Sequence, residues 1–363
     1  MVSKISEDLG AAPMIDLRSD FLARPTAAMV EAMVRAASLP GGFGPREDAT
    51  VLALEARAAE LLGKQDALFV PTCMMANQIA IHLRCRPGEI FVTEADAHVV
   101  TSESAAASAL SGAMPKLVAA VNGALDSTAL SDALGQADAQ RARPALVLQE
   151  NTHVRSGGRV LPLAHMGAIA EITRARGVVL HLDGARIFNA ATALGCTAQD
   201  IAAHADTVSF NLNKGLGAPI GAILAGPADL IEEAVRVRQM FGGGWRPAGI
   251  PAAAGLVGLE TMIGRLGEDH AHAQQLAVGL AAIDGIEVDL IGTETNIVLA
   301  KPLTMTPEAL ATGLAKHRVL VLPFGAYVRL VTHHEISENS VQATLEAVQA
   351  VLLGEDHGAP TGC

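Results

Sequence analysis

The 363-residue sequence predicts an α/β fold, in which a large domain with a mostly parallel sheet precedes a small α+β domain. Short apolar runs alternate with longer segments of helical periodicity, and this pattern changes after about residue 265. Half of the residues are hydrophobic and only 18% are charged, which is typical of a chain with a well-buried core.

Seven apolar runs predict the strands of the large domain. Runs that are apolar throughout are typical of strands buried on both faces of a parallel sheet. They are ALFVP (67–71), EIFVTE (89–94), KLVAAV (116–121), PALVLQEN (144–151), VVLHLDG (178–184), DTVSFNL (206–212) and PIGAILAG (219–226). We therefore expect a seven-stranded sheet.

Helices are predicted between these strands. In TVLALEARAAELLGK, Thr50 is the predicted N-cap and Gly63 lies near the end. Others are expected at about 74–85, 162–176, 227–240 and 247–265. After residue 265, a polar helix leads into the strands IEVDL, NIVLAKP, RVLVLPF and YVRLVTH, with helices at about 306–316 and 337–353. We expect an N-terminal segment (1–25), a large domain (26–265) and a small C-terminal domain (266–363).

Composition excludes several classes of protein. A net charge of −12 and an aromatic content of 3% argue against nucleic-acid binding. The four cysteines are scattered and form no CxxC pair, and no histidine cluster has carboxylates at metal spacing, so we predict no metal site. No secretion signal and no uncharged apolar run of membrane-spanning length is present, which predicts a cytoplasmic protein without a membrane partner.

Two charged residues follow neighbouring predicted strands. Asp183 ends VVLHLD, and a partly desolvated carboxylate there needs a partner, either Arg186 or a bound ligand. Lys214 follows the next strand and is itself followed by Gly215 and Gly217. At this position a lysine of lowered pKa could form a Schiff base. Taken singly, each residue could be structural. Together they suit pyridoxal 5'-phosphate (PLP), with the lysine as the imine and the aspartate holding the pyridine nitrogen protonated.

The sequence resembles the low-specificity L-threonine aldolases, which belong to the aminotransferase-like (fold type I) PLP enzymes. The matching runs follow the family order over nearly all of the chain: MIDLRSD (14–20), ALFVPTCMMANQ (67–78), DAHV (96–99), ENTHVRSGGRVLPL (150–163), HLDGARIFNA (181–190), SFNLNKGLGAPIG (209–221), FGGGWRPAGI (241–250) and VRLVTH (328–333). The resemblance implies a fold type I large domain that binds PLP and a homotetramer built as a dimer of dimers.

The resemblance also implies roles for individual residues. Lys214 matches the Schiff-base lysine, Asp183 the partner of the pyridine nitrogen, and His98 a ring-stacking histidine that helps to deprotonate the substrate hydroxyl. The residues that match groups binding the substrate carboxylate are Ser19, Arg186 and Arg329. Arg186 is also expected at the cofactor, together with Lys214, Asp183 and His98. The other residues expected there are Thr72, Cys73 and Met74 in the phosphate cup and Arg246, which could come from a neighbouring subunit.

The chain departs from the family at the phosphate cup, where Thr72-Cys73-Met74 replaces a Ser/Thr-Gly-Thr run. Backbone N–H groups at a helix N-terminus would still bind a phosphate. The lost hydroxyl costs one charge-assisted hydrogen bond, about 1.5–3 kcal/mol, unless Thr72 replaces it. Bulky residues such as Phe43 and Trp245 stand where the family has others, which predicts a different aldehyde side chain.

The expected activity is a reversible retro-aldol cleavage of L-threonine, L-allo-threonine or a related β-hydroxy-α-amino acid to glycine and an aldehyde. Other PLP reactions on a β-substituted amino acid, namely transaldolation, β-elimination, racemisation or transamination, use the same groups. A non-catalytic relative is the alternative from another class. The presence of Lys214, Asp183, Arg186 and Arg329 together argues against it.

Overall fold

The computed structural model describes residues 14–135 and 138–354, and seven strands of this part form one sheet. They are β1 (Asp66–Val70), β2 (Ile90–Thr93), β3 (Met114–Leu117), β4 (Pro144–Glu150), β5 (Val179–Asp183), β6 (Thr207–Asn211) and β7 (Ala222–Gly226). Their order is β1-β7-β6-β5-β4-β2-β3. Strand β7 runs antiparallel to both neighbours, and the other pairs are parallel. The predicted seven-stranded, mostly parallel sheet is confirmed.

Burial differs between the strands of the sheet. All seven residues of β4 are buried, whereas all four of the edge strand β3 are exposed. The run KLVAAV does not form one strand, because β3 ends at Leu117 and Ala120–Val121 pairs with Ala124–Leu125. Periodicity does not reveal this break, since the run is apolar throughout.

Every helix predicted from periodicity is present, and the described residues contain six more that were not predicted. Together the helices are α1 (Ala27–Ala37), α2 (Ala49–Leu62), α3 (Cys73–Arg84), α4 (His98–Thr101), α5 (Ala106–Ser111), α6 (Ser127–Ala133), α7 (Leu163–Ala175), α8 (Ile187–Leu194), α9 (Ala198–Ala202), α10 (Ala228–Met240), α11 (Gly249–Thr261), α12 (Leu266–Ala281), α13 (Pro307–Lys316) and α14 (Glu338–Leu353). The helices of the described segments are too short or too polar to cross a membrane.

The cap of α2 corrects one prediction. Thr50 is not the N-cap, because Asp48 precedes the helix and its carboxylate accepts the N–H groups of Thr50 and Val51. Aspartate and threonine are both favoured at an N-cap, so the sequence alone does not distinguish Asp48 from Thr50, and the backbone conformation does. Gly63 ends the helix at φ 61°, a left-handed conformation that suits glycine.

The described chain divides into two compact units. The large unit, Ala23–Gly267, contains the seven-stranded sheet. The small unit consists of the described residues before Ala23 and after Gly267. Its antiparallel sheet has the order β8-β9-β11-β10, formed by β8 (Ile286–Val288), β9 (Ile297–Pro302), β10 (Leu322–Phe324) and β11 (Tyr327–Val331). The predicted strand RVLVLPF is split, since Val319–Leu320 pairs instead with Ile15–Asp16.

Candidate active site

The predicted cofactor residues lie at the carboxyl ends of the strands of the large sheet. Strands β1, β2, β4, β5 and β6 run in the same direction, so their carboxyl ends lie side by side. Helix α3 begins three residues after the last residue of β1, His98 opens α4 after β2, Asp183 ends β5, and Lys214 follows β6. The crevice at the carboxyl ends of parallel strands is where α/β sheets bind ligands.

Asp183 is held rigidly at the end of β5. It is 2% exposed, and its Oδ2 accepts a hydrogen bond from Asn77 Nδ2 at 2.7 Å. Its Oδ1 accepts the N–H of Ala185 at 3.1 Å and faces the thiol of Cys73 at 3.9 Å. Gly184 makes the following turn possible, because a Cβ there would lie 2.9 Å from the carbonyl oxygen of Ser209.

Lys214 lies in the loop between the antiparallel neighbours β6 and β7, and it is half-buried. Its carbonyl oxygen accepts the N–H of Gly217, which has φ 71°. Register places Asp183 of β5 opposite Ser209 of β6, five residues before the lysine. The charges of Asp183 and Lys214 both act on the Cys73 thiol, so the three groups belong to one site.

The predicted phosphate cup lies at the N-terminus of α3. Thr72 is the N-cap, and its hydroxyl oxygen accepts the N–H of Met75 at 3.1 Å. The first N–H groups of a helix have no acceptor within it, so those of Cys73 and Met74 have the character that anion binding needs. Burial, reinforced by the negative charge of Asp183, raises the pKa of the Cys73 thiol, which therefore stays protonated.

His98 is oriented by two buried carboxylates. Its backbone N–H donates to Glu150 Oε2 at 2.7 Å, and its ring Nδ1 lies 3.0 Å from Glu103 Oε1. Burial lowers the pKa of His98, but the hydrogen bond to Glu103 and the charges of Asp183, Glu103 and Glu150 outweigh it, so the net shift is upward. With Nδ1–H donated to Glu103, the atom left for proton transfer is Nε2.

Sequence reasoning missed three buried polar residues of this site. Asn77 donates to both Asp183 and Glu103, and Ser209 donates to Asn77. Asn77 and Gln78 interrupt the apolar face of α3, and this was the available signal for them. Glu103 stands in a Ser-rich segment with no comparable pattern, so only the folded chain identifies it.

The ligand atoms of His98, Glu103 and Asp183 lie within 4.8 Å of one another, a spacing at which such groups can bind a metal ion. The donor pattern argues against that use. Asn77 directs an N–H to each carboxylate, and His98 Nδ1 is hydrogen-bonded to Glu103. A cation bound there would have to share the Glu103 and Asp183 oxygens with the N–H groups of Asn77, whose partial positive charge repels it.

The other predicted residues lie elsewhere in the two units. Arg186 is buried just before α8. Arg246 lies beside Phe43. Its Nε donates to the Phe43 carbonyl oxygen at 2.8 Å, and its guanidinium carbon lies 6.0 Å from the centroid of the Phe43 ring. Ser19 and Arg329 belong to the small unit; Ser19 Oγ donates to Asp20 at 3.3 Å, and Arg329 donates to the carbonyl oxygen of Arg18 at 3.1 Å.

Trp245 is used in packing. Its ring lies 5.2 Å from that of Phe69 and contacts the core of the large unit. The bulk of this residue therefore fills the interior, and it does not support the predicted change of aldehyde side chain.

Comparisons with known proteins give the same answer as the motifs. The beta-eliminating lyase family model matches residues 16–302. The low specificity L-threonine aldolase of Escherichia coli K12 is 38% identical over 90% of this chain and 96% of its own. Two solved structures share the fold. Leishmania major threonine aldolase has a TM-score of 0.81 and 20% identity, over 93% of this chain and 99% of its own. A PLP-bound serine palmitoyltransferase of S. paucimobilis has a TM-score of 0.73 and 18% identity, over 94% of this chain and 88% of its own. The resemblance and the fold predicted from the sequence are confirmed.

Proposed function

We propose that this chain, which belongs to the beta-eliminating lyase family, is a PLP-dependent carbon–carbon lyase. It cleaves L-threonine, L-allo-threonine or a related β-hydroxy-α-amino acid to glycine and an aldehyde, reversibly. The observation that carries this function is the pairing of buried Asp183 at the end of β5 with Lys214 after the adjacent β6. The large unit is the proposed cofactor domain.

The residues at the sheet edge fit PLP. Asp183 is a buried carboxylate with fixed orientation, suited to hold a proton on the pyridine nitrogen. Lys214 supplies the amine, and Thr72, Cys73 and Met74 supply a helix N-terminus for the phosphate. When bound, PLP supplies an electron sink for the pair released from a bond at Cα.

His98 is the proposed base for the substrate β-hydroxyl. Its Nε2 takes the hydroxyl proton as the Cα–Cβ bond breaks, and Glu103 at 3.0 Å stabilises the imidazolium that forms. The aldehyde leaves, Cα gains a proton from solvent to give glycine, and His98 releases to solvent the proton it took, so that no net proton is consumed. The raised pKa of His98 makes it a stronger base, provided that the pH is high enough to keep it neutral.

We propose that Arg186, with Ser19 and Arg329, binds the substrate carboxylate. The family resemblance is the basis for this assignment, and a guanidinium fork matches a planar carboxylate. Carboxylate binding selects which bond at Cα stands perpendicular to the cofactor ring, and so selects cleavage over the competing reactions.

We also propose a cytoplasmic homotetramer built as a dimer of dimers, in which Arg246 reaches a neighbouring subunit's cofactor phosphate. The family resemblance and exposed apolar side chains support it: Phe43 is 90% exposed and Val34 64%. Sedimentation velocity checks the assembly, and a monomer at micromolar concentration would overturn it.

The test of function is product analysis with the PLP-loaded protein. We expect acetaldehyde and glycine in equal amounts from L-threonine or L-allo-threonine, or benzaldehyde from the bulkier L-phenylserine, and no aldehyde from Lys214→Ala. A 2-oxo acid with ammonia would indicate β-elimination, and a D-amino acid would indicate racemisation. Absence of any product would favour the non-catalytic relative.

A further inference from the structure

The amide of Asn77 uses its full hydrogen-bonding capacity in the interior of the large unit. Its Nδ2 donates to Asp183 Oδ2 at 2.7 Å and to Glu103 Oε1 at 2.9 Å. Its Oδ1 accepts from Ser209 Oγ at 2.7 Å and from His181 Nε2 at 3.0 Å. An asparagine side chain has two donors and two acceptor sites, so every one is occupied.

Chemistry fixes which way this amide faces. A flipped amide would point its carbonyl oxygen at two carboxylates, which repel it. On the other side, Thr207 Oγ1 lies 2.8 Å from His181 Nδ1 and can donate to it, which leaves the His181 Nε2 proton for Asn77. Burial lowers the pKa of His181 to about 4, so the ring is neutral and has one proton to donate.

The two carboxylates that Asn77 joins face different partners. Asp183 faces the proposed position of the cofactor ring, and Glu103 accepts from His98 at 3.0 Å and from Gln78 at 2.7 Å. The amide N–H groups offset the repulsion between the two negative charges and fix the plane of each carboxylate. Without them, the donors that the described residues still direct at the Asp183 carboxylate are the Ala185 N–H and the weakly donating Cys73 thiol.

We infer that Asn77 is the positioning residue that aims the Asp183 carboxylate at the cofactor's pyridine nitrogen, and that Ser209 and His181 hold its amide for this purpose. This inference rests on the proposed function, because it needs a ring nitrogen for Asp183 to meet. Asn77 contacts neither substrate nor cofactor in this scheme. Its effect on the ring nitrogen runs through Asp183, whereas its second hydrogen bond, to Glu103, supports His98 and does not involve that nitrogen.

The experiment compares the binding of two cofactors to apoprotein by equilibrium dialysis. One is PLP, and the other is 1-deaza-PLP, in which carbon replaces the ring nitrogen. We expect Asn77→Leu to weaken PLP binding by about 10- to 100-fold, as for loss of a charge-assisted hydrogen bond, and to leave 1-deaza-PLP binding unchanged. Asp183→Asn should give the same selectivity.

Gln78→Leu is the matched control, since Gln78 is also a buried amide of α3 but donates to Glu103 and not to Asp183. It should leave the preference for PLP over 1-deaza-PLP intact. If Asn77→Leu does not fold by circular dichroism, Ser209→Ala removes one support of the amide and should show a smaller loss of the same selectivity. An equal loss for both cofactors, or no loss, would overturn the inference alone. A wild-type protein that does not bind PLP would overturn the proposed function as well.

Discussion

The substitution Asp183→Asn tests the proposed electron sink most directly. The wild-type carboxylate accepts from Asn77 at 2.7 Å and from Ala185 at 3.1 Å through different oxygens. An asparagine can accept at only one of these positions, and its NH₂ would face the other donor. The substitution also removes the negative charge that would hold a proton on the cofactor ring.

The loss of that charge sets the size of the effect. A hydrogen bond to a charged group contributes about 1.5–3 kcal/mol. Because about 1.36 kcal/mol changes a rate tenfold, we expect kcat to fall by about 10- to 150-fold. The fold should survive, since the side chain keeps its size.

The assay is acetaldehyde release at saturating L-threonine, coupled to NADH oxidation, with both proteins fully loaded with PLP. Asp206→Asn is the control: Asp206 lies at the opposite edge of the sheet and accepts the N–H of Leu180 at 2.7 Å, which an asparagine oxygen can also do. It should retain wild-type kcat. An Asp183→Asn variant with wild-type kcat would refute the role assigned to this carboxylate.

Three further substitutions probe the base, the turn and the core. Glu103→Gln removes charge that raises the pKa of His98, so the acidic limb of the kcat/KM profile should move to lower pH, and kcat should fall about 10²-fold. Gly184→Ala should cost about 1–3 kcal/mol in urea unfolding, because the new Cβ would lie 2.9 Å from a carbonyl oxygen. Glu55→Leu should cost about 3–5 kcal/mol in the same assay, since it removes the buried carboxylate that pairs with Arg46 and Arg238 and accepts the N–H of Phe69.

Each of these three substitutions has a result or a control variant that can contradict its prediction. An acidic limb that stays in place in Glu103→Gln would mean that another group titrates there. Gly264→Ala adds a Cβ with no atom within 4 Å and should change stability by less than about 0.5 kcal/mol. Glu60→Leu alters an exposed carboxylate of the same helix as Glu55 and should be equally mild, at about 0.5 kcal/mol or less. If Gly184→Ala and Gly264→Ala cost the same, the steric argument for Gly184 is wrong. If Glu55→Leu and Glu60→Leu cost the same, the argument from the burial of Glu55 is wrong.

The sequence predicts the parts of the fold that depend on local pattern. Apolar runs such as PALVL in PALVLQEN place the central strands, because a strand covered on both faces is apolar over most of its length. The cap of α2 and the break after Leu117 depend on backbone angles and pairing partners, and composition does not record those.

The same division applies to the site. The positions of Asp183 and Lys214 at the ends of adjacent strands were predictable, because each follows an apolar strand and the parallel topology brings strand ends together. The sequence signals Asn77 only as a polar break in α3, and its contact with Ser209 was not predictable, since the two residues are 132 positions apart. Roles of Ser19, Arg186, Arg246 and Arg329 rest on family resemblance and stay predictions.

The position of β7 has a consequence for synthesis of the chain. Strand β1 pairs with no other strand of the described chain than β7, which emerges from the ribosome about 150 residues later. Until residue 226 is available, the segment that begins the phosphate cup has no strand to hold it at the sheet. A nascent chain stalled before β7 should therefore fail to retain the cofactor, and PLP capture would report that the last strand of the large sheet has been inserted.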